Sequence, residues 1–335
     1  MTPGDEGSVD SMRKTIAFIA VFFLVMQLSG CGGSSVTSTG KLDPQTPLVE
    51  QSAPETARKT YSIGERAIID DRYAITIFSV VETKDRNPFS DKEVAQVLII
   101  DYQYENIADE NSSLYISDMD FKCVDEEANM CSTYPVSGRY SPEHTPPGAR
   151  TLASMVFGTV TNSKTIKLYY YDNMFDTEPT AEFECEVGKS VEPTLDGNAP
   201  DYPDMYSVGD MIQINTTNGE YRLCIDKVER VVERNPFSEK QPKEVYRVTY
   251  TYSNVSLGRE LFISDMDFVV LDGNGNTGFT YPGEISYHPQ STIKGAKCTA
   301  QMVFGVHTET DRLILCYRDN MFSDRFDLMV CVPTR

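Results

Sequence analysis

The chain has no tryptophan and only three histidines in 335 residues. That shortage narrows the chemistry, because a catalytic triad or a histidine-based metal site needs imidazoles placed together. His144, His288 and His307 occupy unrelated positions, and each is expected in a surface loop. Basic residues are scarce too: 30 Lys and Arg stand against 50 Asp and Glu, a formal net charge of −20. Such a surface repels phosphate backbones, which argues against a nucleic-acid partner, and keeps an exported protein soluble. There is no Gly-rich phosphate loop, no His-Glu-x-x-His, no Gly-x-Ser-x-Gly and no Cys-x-x-Cys pair. The usual signatures of nucleotide, zinc-peptidase, serine-hydrolase and zinc-ribbon sites are therefore missing, and no cofactor is expected. Beyond residue 31 no apolar run reaches the roughly 20 residues a spanning helix requires.

The one long apolar run lies near the start. Arg13 and Lys14 precede a stretch from Ile16 to Leu28, and Leu28-Ser29-Gly30-Cys31 closes it. A basic start, an apolar run of about 13 residues and small residues at the end make a secretory signal, too short for a membrane span. The last four residues resemble the bacterial lipobox, in which the cysteine thiol receives a diacylglyceryl group and the peptide is cut ahead of it. Two acyl chains give a stable anchor where one would be marginal. Asp5, Glu6 and Asp10 are acidic where a signal should begin basic, so Met12 is read as the true start. The expected organisation is a signal peptide over 1–30, a lipidated disordered tether over 31–60 rich in Ser, Thr, Pro and Gly, and a folded part beyond.

The folded part says the same thing twice. Tyr61-Ser62-Ile63-Gly64-Glu65 returns as Tyr206-Ser207-Val208-Gly209-Asp210, and Arg86-Asn87-Pro88-Phe89-Ser90 returns unchanged at 234–238. At a constant offset of 147, Ile116-Ser117-Asp118-Met119-Asp120-Phe121 recurs at 263–268, Met155-Val156-Phe157-Gly158 at 302–305 and Asp172-Asn173-Met174-Phe175 at 319–322. So long a period means tandem copies of a whole domain rather than a solenoid. The copies span 61–187 and 206–335, with a Pro- and Gly-containing linker over 188–205. Within them apolar residues alternate: Leu98, Ile100, Tyr102 and Tyr104 in the first copy, Tyr246, Val248, Tyr250 and Tyr252 in the second. Period two marks strands. Shorter strands are expected at 75–81, 121–124, 152–157 and 166–171, and again at 221–228, 268–271, 299–304 and 313–317. Short strands broken by Gly, Pro, Asn and Asp predict an all-β fold of two tandem antiparallel immunoglobulin-like β-sandwiches.

Each copy is similar to a family of uncharacterised bacterial extracellular domains, common in lipoproteins and related to a secreted immunogenic antigen of mycobacteria. The resemblance rests on Gly64, Asn106, 117–121, Gly148 and Val156-Phe157 in the first copy. In the second it rests on Gly209, Asn254, 264–268, Asp272-Gly273, Gly295 and Val303-Phe304. Asp125-Glu126 replaces Asp-Gly in the first copy, which leaves the type of that turn open. The resemblance implies an immunoglobulin-like sandwich and no known reaction.

Candidate sites follow from the repeated loops. Arg86, Asn87 and Phe89, with Arg234, Asn235 and Phe237, place an aromatic beside a hydrogen-bonding side chain in a turn. Asp172 and Asn173, with Asp319 and Asn320, do the same. Such a combination can anchor a peptide or a sugar, although a Phe tucked under its own loop would serve structure alone. Asp118 with Asp120, and Asp265 with Asp267, would share one face of a strand and could hold a cation, or one carboxylate of each pair could cap a turn. The calcium-like start of Asp272-Gly273-Asn274-Gly275-Asn276 is better explained as a hairpin turn, since Thr277 and Gly283 stand where the loop needs Gly and Glu. Of eight cysteines one is Cys31, so among the other seven at least one lacks an intrachain partner. Cys123 with Cys131, and Cys316 with Cys331, flank turns and are candidate hairpin disulfides.

These features predict a non-enzymatic protein on the outer face of a bacterial cell membrane or outer membrane. The lipid on Cys31 binds the membrane, and the duplicated domains bind a protein, peptide or glycan of the envelope. The alternatives are a structural or accessory envelope component and, more remotely, a divalent-cation-dependent enzyme. For the anchor, metabolic labelling with an acyl-chain probe is expected to mark the native chain and to fail for Cys31→Ser; continued labelling of the variant overturns the lipobox assignment.

Overall fold

The computed structural model describes residues 59–108, 112–173, 175–320 and 323–334. The signal segment, Cys31 and all but the end of the tether lie outside the described residues. The first copy forms β1 (Thr60–Ser62), β2 (Arg66–Ile69), β3 (Tyr73–Thr83), β4 (Gln96–Asn106), β5 (Phe121–Val124), β6 (Ser132–Thr133), β7 (Arg150–Thr159), β8 (Thr165–Tyr170) and β9 (Ala181–Glu186). The second repeats them as β10 (Tyr206–Ser207), β11 (Ile212–Thr216), β12 (Gly219–Val231), β13 (Glu244–Asn254), β14 (Phe268–Leu271), β15 (Phe279–Thr280), β16 (Lys297–Val306), β17 (Arg312–Tyr317) and β18 (Leu328–Pro333). Among the described residues there is no α-helix, and the all-β sandwich expected from the alternation is the observed fold.

Each copy pairs a sheet of order β1-β9-β8-β5 with one of order β2-β3-β4-β7-β6, matched by β10-β18-β17-β14 and β11-β12-β13-β16-β15. One departure from the expected antiparallel pattern recurs in both: β1 runs parallel to β9, and β10 to β18. These partners are the first and last strands of a copy, so no hairpin dictates their direction, and the first strand closes the edge the last one leaves open.

The alternation in β4 and β13 directs Leu98, Ile100, Tyr102 and Tyr104, and their counterparts Tyr246, Val248, Tyr250 and Tyr252, into two separate cores. A buried tyrosine must place its hydroxyl. Tyr102 Oη donates to the Ile116 carbonyl at 2.8 Å and Tyr104 Oη to Glu143 O at 2.5 Å; Tyr250 and Tyr252 repeat this with Ile263 O and Gln290 O. The tyrosines thus fix the loops that follow each central strand. The other face of the strand is covered as well. Val97 packs with Tyr134 and Val156, and Val245 with Tyr281 and Val303, because the chain after β6 and β15 folds back over the sheet.

The segment read as a linker is built into the structure. Gln103 Nε2 and Arg150 Nη1 donate to Thr194 O, and Arg150 Nη1 also reaches Asp196 O. Ala199 N–H donates to Gly273 O at 2.8 Å, and Asn276 Nδ2 to Leu195 O at 2.9 Å. The two copies also touch directly. Arg150 N–H donates to Gly275 O at 2.9 Å and Thr277 N–H to Arg150 O at 2.8 Å, a parallel bridge between sheets of different copies. Ala149 and Ala199 pack there against Val269, Leu271, Ile314, Cys316 and Phe326. The described residues accordingly belong to one compact unit.

The turn left open by Asp125-Glu126 resolves against its second copy. Asp125 Oδ1 accepts from the N–H groups of Glu127 and Asn129, as Asp272 Oδ1 does from Asn274 and Asn276. Both loops therefore use one Asx-turn frame, and the position at which it needs a left-handed residue is Ala128 (φ 65°) in one and Gly275 (φ 85°) in the other. A Cβ in that region costs roughly 1–2 kcal/mol, part of which glycine returns through the entropy of the unfolded chain. Ala128→Gly is expected to raise stability by about 0.5–1 kcal/mol in chemical denaturation, whereas an unchanged or lower midpoint would contradict strain at this turn.

Candidate binding site between the two copies

The Arg-Asn-Pro-Phe-Ser loops follow β3 and β12. In the first, Asn87 Nδ2 donates to Pro135 O at 2.8 Å and its Oδ1 accepts from Phe89 N–H at 2.9 Å, while Arg86 Nη1 donates to Thr83 O and Asp85 O. In the second, Asn235 Nδ2 donates to Pro282 O at 2.7 Å, its Oδ1 accepts from Phe237 N–H at 2.9 Å, and Arg234 Nη1 donates to Val231 O and Val232 O. Lys92 and Lys240 complete the frame by donating to Thr133 O and Thr280 O. Arg and Asn are thus occupied with the backbone. Phe is not: Phe89 is 95% exposed and Phe237 93% exposed. The idea that this Phe tucks under its own loop is wrong, because the Asx turn directs the backbone of the next two residues outward.

The second of these loops borders a groove of about 1210 Å³ that exists only because the copies are packed together. Arg139, Tyr140 and Glu192 line it from the first copy and the linker; Phe237, Phe279 and His307 line it from the second. The His307 ring lies 5.1 Å from that of Phe279 and 5.7 Å from that of Tyr140, measured between centroids. Arg139 reaches Asp101, a fully buried carboxylate whose other oxygen accepts from Ser154 Oγ at 2.6 Å. The groove therefore offers aromatic faces beside hydrogen-bonding and charged groups, the lining suited to a chain-like ligand held by stacking and polar contacts.

The other candidate residues are brought together differently from the sequence expectation. Asp172 accepts a short hydrogen bond from Tyr73 Oη and an ion pair from Arg72 at 3.0 Å, and Asp319 accepts from Tyr221 Oη at 2.7 Å. Both carboxylates serve the buried tyrosine pairs Tyr73–Tyr170 and Tyr221–Tyr317. Asn173 Oδ1 accepts from Phe175 N–H, which leaves Phe175 84% exposed, and Asn320 O accepts from Ser323 N–H. Asp118–Asp120 and Asp265–Asp267 are single 3-10 turns rather than strands, so the two carboxylates of a pair do not share a sheet face. Asp120 and Asp267 cap these turns through Ser117 N–H and Ser264 N–H at 2.8 and 2.7 Å. Among the described residues no three His, Cys, Asp or Glu side chains converge as metal ligands would.

Seven cysteines are described and all are thiols. Cys316 and Cys331 do not face each other: Cys316 pairs with Met329, and Cys331 with Ile314. Placing them symmetrically about Ser323-Asp324 set the turn centre one residue late, which offsets the pair by two and leaves a diagonal of about 7–8 Å, beyond a disulfide's reach. Cys123 and Cys131 are opposed, with Cys131 N–H donating to Cys123 O at 2.8 Å.

His144 and His307 also depart from expectation; both are partly buried at the junction, and only His288 is exposed. Burial, reinforced by Arg318, pushes His144 down to about 4, and burial holds His307 below the ordinary range against the pull of Asp272. Beside them burial pushes Glu143 up to about 7, opposed by Lys240 and Arg318 of the other copy. Arg318 is itself buried, lies over the Phe326 ring and has no hydrogen-bond partner for Nε. Sequence reasoning passed over Glu143, Arg318 and the groove wall. One signal was available: at the offset of 147, Glu143, His144, His307 and Arg318 stand against Gln290, Ser291, Val160 and Tyr171. None of these four junction residues is shared by the copies.

No protein-family model and no curated protein matches the chain. Among solved structures it is similar to MPT63, a secreted protein of Mycobacterium tuberculosis, at 14% identity over 40% of this chain and 99% of that one, with a TM-score of 0.31. It is similar to the ycdA protein of Bacillus subtilis at 14% identity over 36% of this chain and 38% of that one (TM-score 0.30). The yjhA protein of Bacillus subtilis is matched at 15% identity over 38% and 99% (TM-score 0.31).

The titrations at the junction oppose each other. A carboxyl raised to about 7 contributes stability that is complete below the unfolded value near 4.5 and is lost as pH rises through 7; a histidine lowered to about 4 contributes stability that is complete above 6.5 and is lost as pH falls through 4. Glu143→Gln, which keeps the neutral form at every pH, is expected to exceed the native chain in stability by on the order of 1–3 kcal/mol above pH 7 and to match it near pH 4. Denaturation midpoints across pH 4–8 measure this, and a constant difference would contradict it.

Proposed function

We propose that the chain is an exported protein held in the cell envelope by lipid on Cys31, whose paired sandwiches act as a non-enzymatic binding module for a protein, peptide or glycan of that envelope. The address comes from the signal segment and lipobox-like Leu28-Ser29-Gly30-Cys31. The observation that carries the binding role is the pair of loops in which Arg, Asn and Lys hold a Phe in water, at 95% and 93% exposure. Burying such a ring stabilises a contact by roughly 1.5–3 kcal/mol, and a fold with no use for it would lose nothing by a polar residue there. Phe237 sits at the rim of the groove, so a ligand docked on the ring also meets Tyr140, Phe279 and His307. Because both loops belong to one compact unit, two weak contacts on the same partner would reinforce each other.

The test places a photoreactive phenylalanine analogue at 89 or 237 of the full chain in growing cells, with Ile293, exposed in a different loop, as control position. Discrete cross-linked species are expected from 89 or 237 and not from 293. No adduct at either loop, or the same pattern from all three positions, overturns the binding role.

A further inference from the structure

Cys123 and Cys131 close a hairpin whose register is fixed on both sides. Val124 bridges Met130, Asp125 N–H donates to Asn129 O at 2.9 Å, and Cys131 N–H donates to Cys123 O at 2.8 Å. Directly opposed residues of an antiparallel pair have Cα atoms about 4.5–5.5 Å apart, within the 4.4–6.8 Å that a disulfide spans. Both residues are buried in the first core.

The second copy supplies an internal control. Its hairpin has the same hydrogen bond, from Gly278 N–H to Val270 O at 2.8 Å, at the positions equivalent to Cys131 and Cys123. A Cβ on Gly278 would lie 2.7 Å from Val270 Cγ1 and 2.5 Å from Gly305 O. Glycine is thus demanded there by a backbone carbonyl as well as by the valine. The first copy carries cysteine at both equivalent positions.

We infer that Cys123 and Cys131 form a disulfide when the chain folds in an oxidising compartment, a covalent tie across the hairpin that carries Ala128. This rests on the export proposed above, since the cytoplasm keeps such pairs reduced. The chemistry is thiol–disulfide exchange with the disulfide of an envelope oxidoreductase or of glutathione. One thiolate attacks the oxidant's disulfide and expels one of its sulfurs as a thiolate. The second displaces the remaining sulfur, forming the Cys123 Sγ–Cys131 Sγ bond; two protons leave the protein thiols and two electrons leave on the reduced oxidant. Cys185, also in this core, is left as a thiol.

The full-length chain in detergent, unfolded with reductant and refolded in a glutathione redox buffer, tests the pairing. After alkylation and cleavage by a glutamate-specific protease at Glu126 and Glu127, the peptides bearing Cys123 and Cys131 are expected to stay joined until reduced. Reduction should lower the melting temperature of the native chain by roughly 3–8 °C. It should not move that of Cys123→Val/Cys131→Gly, which copies the second hairpin. Alkylation of both cysteines, or a link from Cys185 to either of them, overturns the inference. Finding the link after refolding but not in chain taken from cells supports the pairing and counts against export instead.

Discussion

The structure depends on a constraint at Arg150. Its backbone accepts from Thr277 and donates to Gly275, both in the other copy, while its guanidinium holds the carbonyls of Thr194 and Asp196 in the connecting segment. Buried backbone groups must be paired, and here the partners belong to a different sandwich. Thr277 Oγ1 and Thr151 Oγ1, 2.9 Å apart and both buried, add a side-chain bond at the same point. Two β-sandwiches joined by a loose segment would move independently by default. Here the segment between them is spent on hydrogen bonds, and Ala149, Ala199 and Phe326 close an apolar cluster against the second sheet.

The groove follows from that junction. Neither copy contains it, since Tyr140 and Arg139 reach it from one sandwich and Phe279 and His307 from the other. The electrostatics of the junction have the same origin. Burial raises Glu143 and lowers His144, and Arg318 of the other copy, whose Nε has no hydrogen-bond partner, acts on both. In a chain with 50 acidic residues, the groove lining sets Arg139, Lys240 and Lys243 against Glu192 and Glu239, a near balance that the net value of −20 conceals. Net charge describes the whole surface and says little about one cleft in it.

Duplication lets structural and functional roles be separated without any other sequence. Where both copies keep a residue and spend it on the backbone, as with Asn87 and Asn235 or Asp120 and Asp267, repetition reflects the needs of the fold. Where both keep a large apolar residue almost wholly exposed, as with Phe89 and Phe237, the fold supplies no reason. The copies differ along their whole length, and the differences include the residues of the mutual contact and the Cys123–Cys131 hairpin. The repeated carboxylates belong to the first group: Asp172 and Asp319 anchor buried tyrosine hydroxyls, which strand periodicity alone could not show because the tyrosines lie about a hundred residues away in sequence.

The sequence by itself determined what depends on short range. The period-two alternation around Tyr102 and Tyr250 set the all-β class and the central strands, because a pleated strand turns alternate side chains to one face whatever surrounds it. The repeats at 86–90 and 234–238 marked the loops that present the aromatics, and Ser117 with Asp120 marked a possible cap. Tertiary structure decided the rest. The parallel edge strands and the groove between the copies are set by contacts distant in the chain, and the register that separates Cys316 from Cys331 is set by a turn centre that symmetry of spacing misplaces. The segment read as a linker became the joint for the same reason: its carbonyls and apolar side chains find partners on two surfaces that do not exist until both sandwiches have folded.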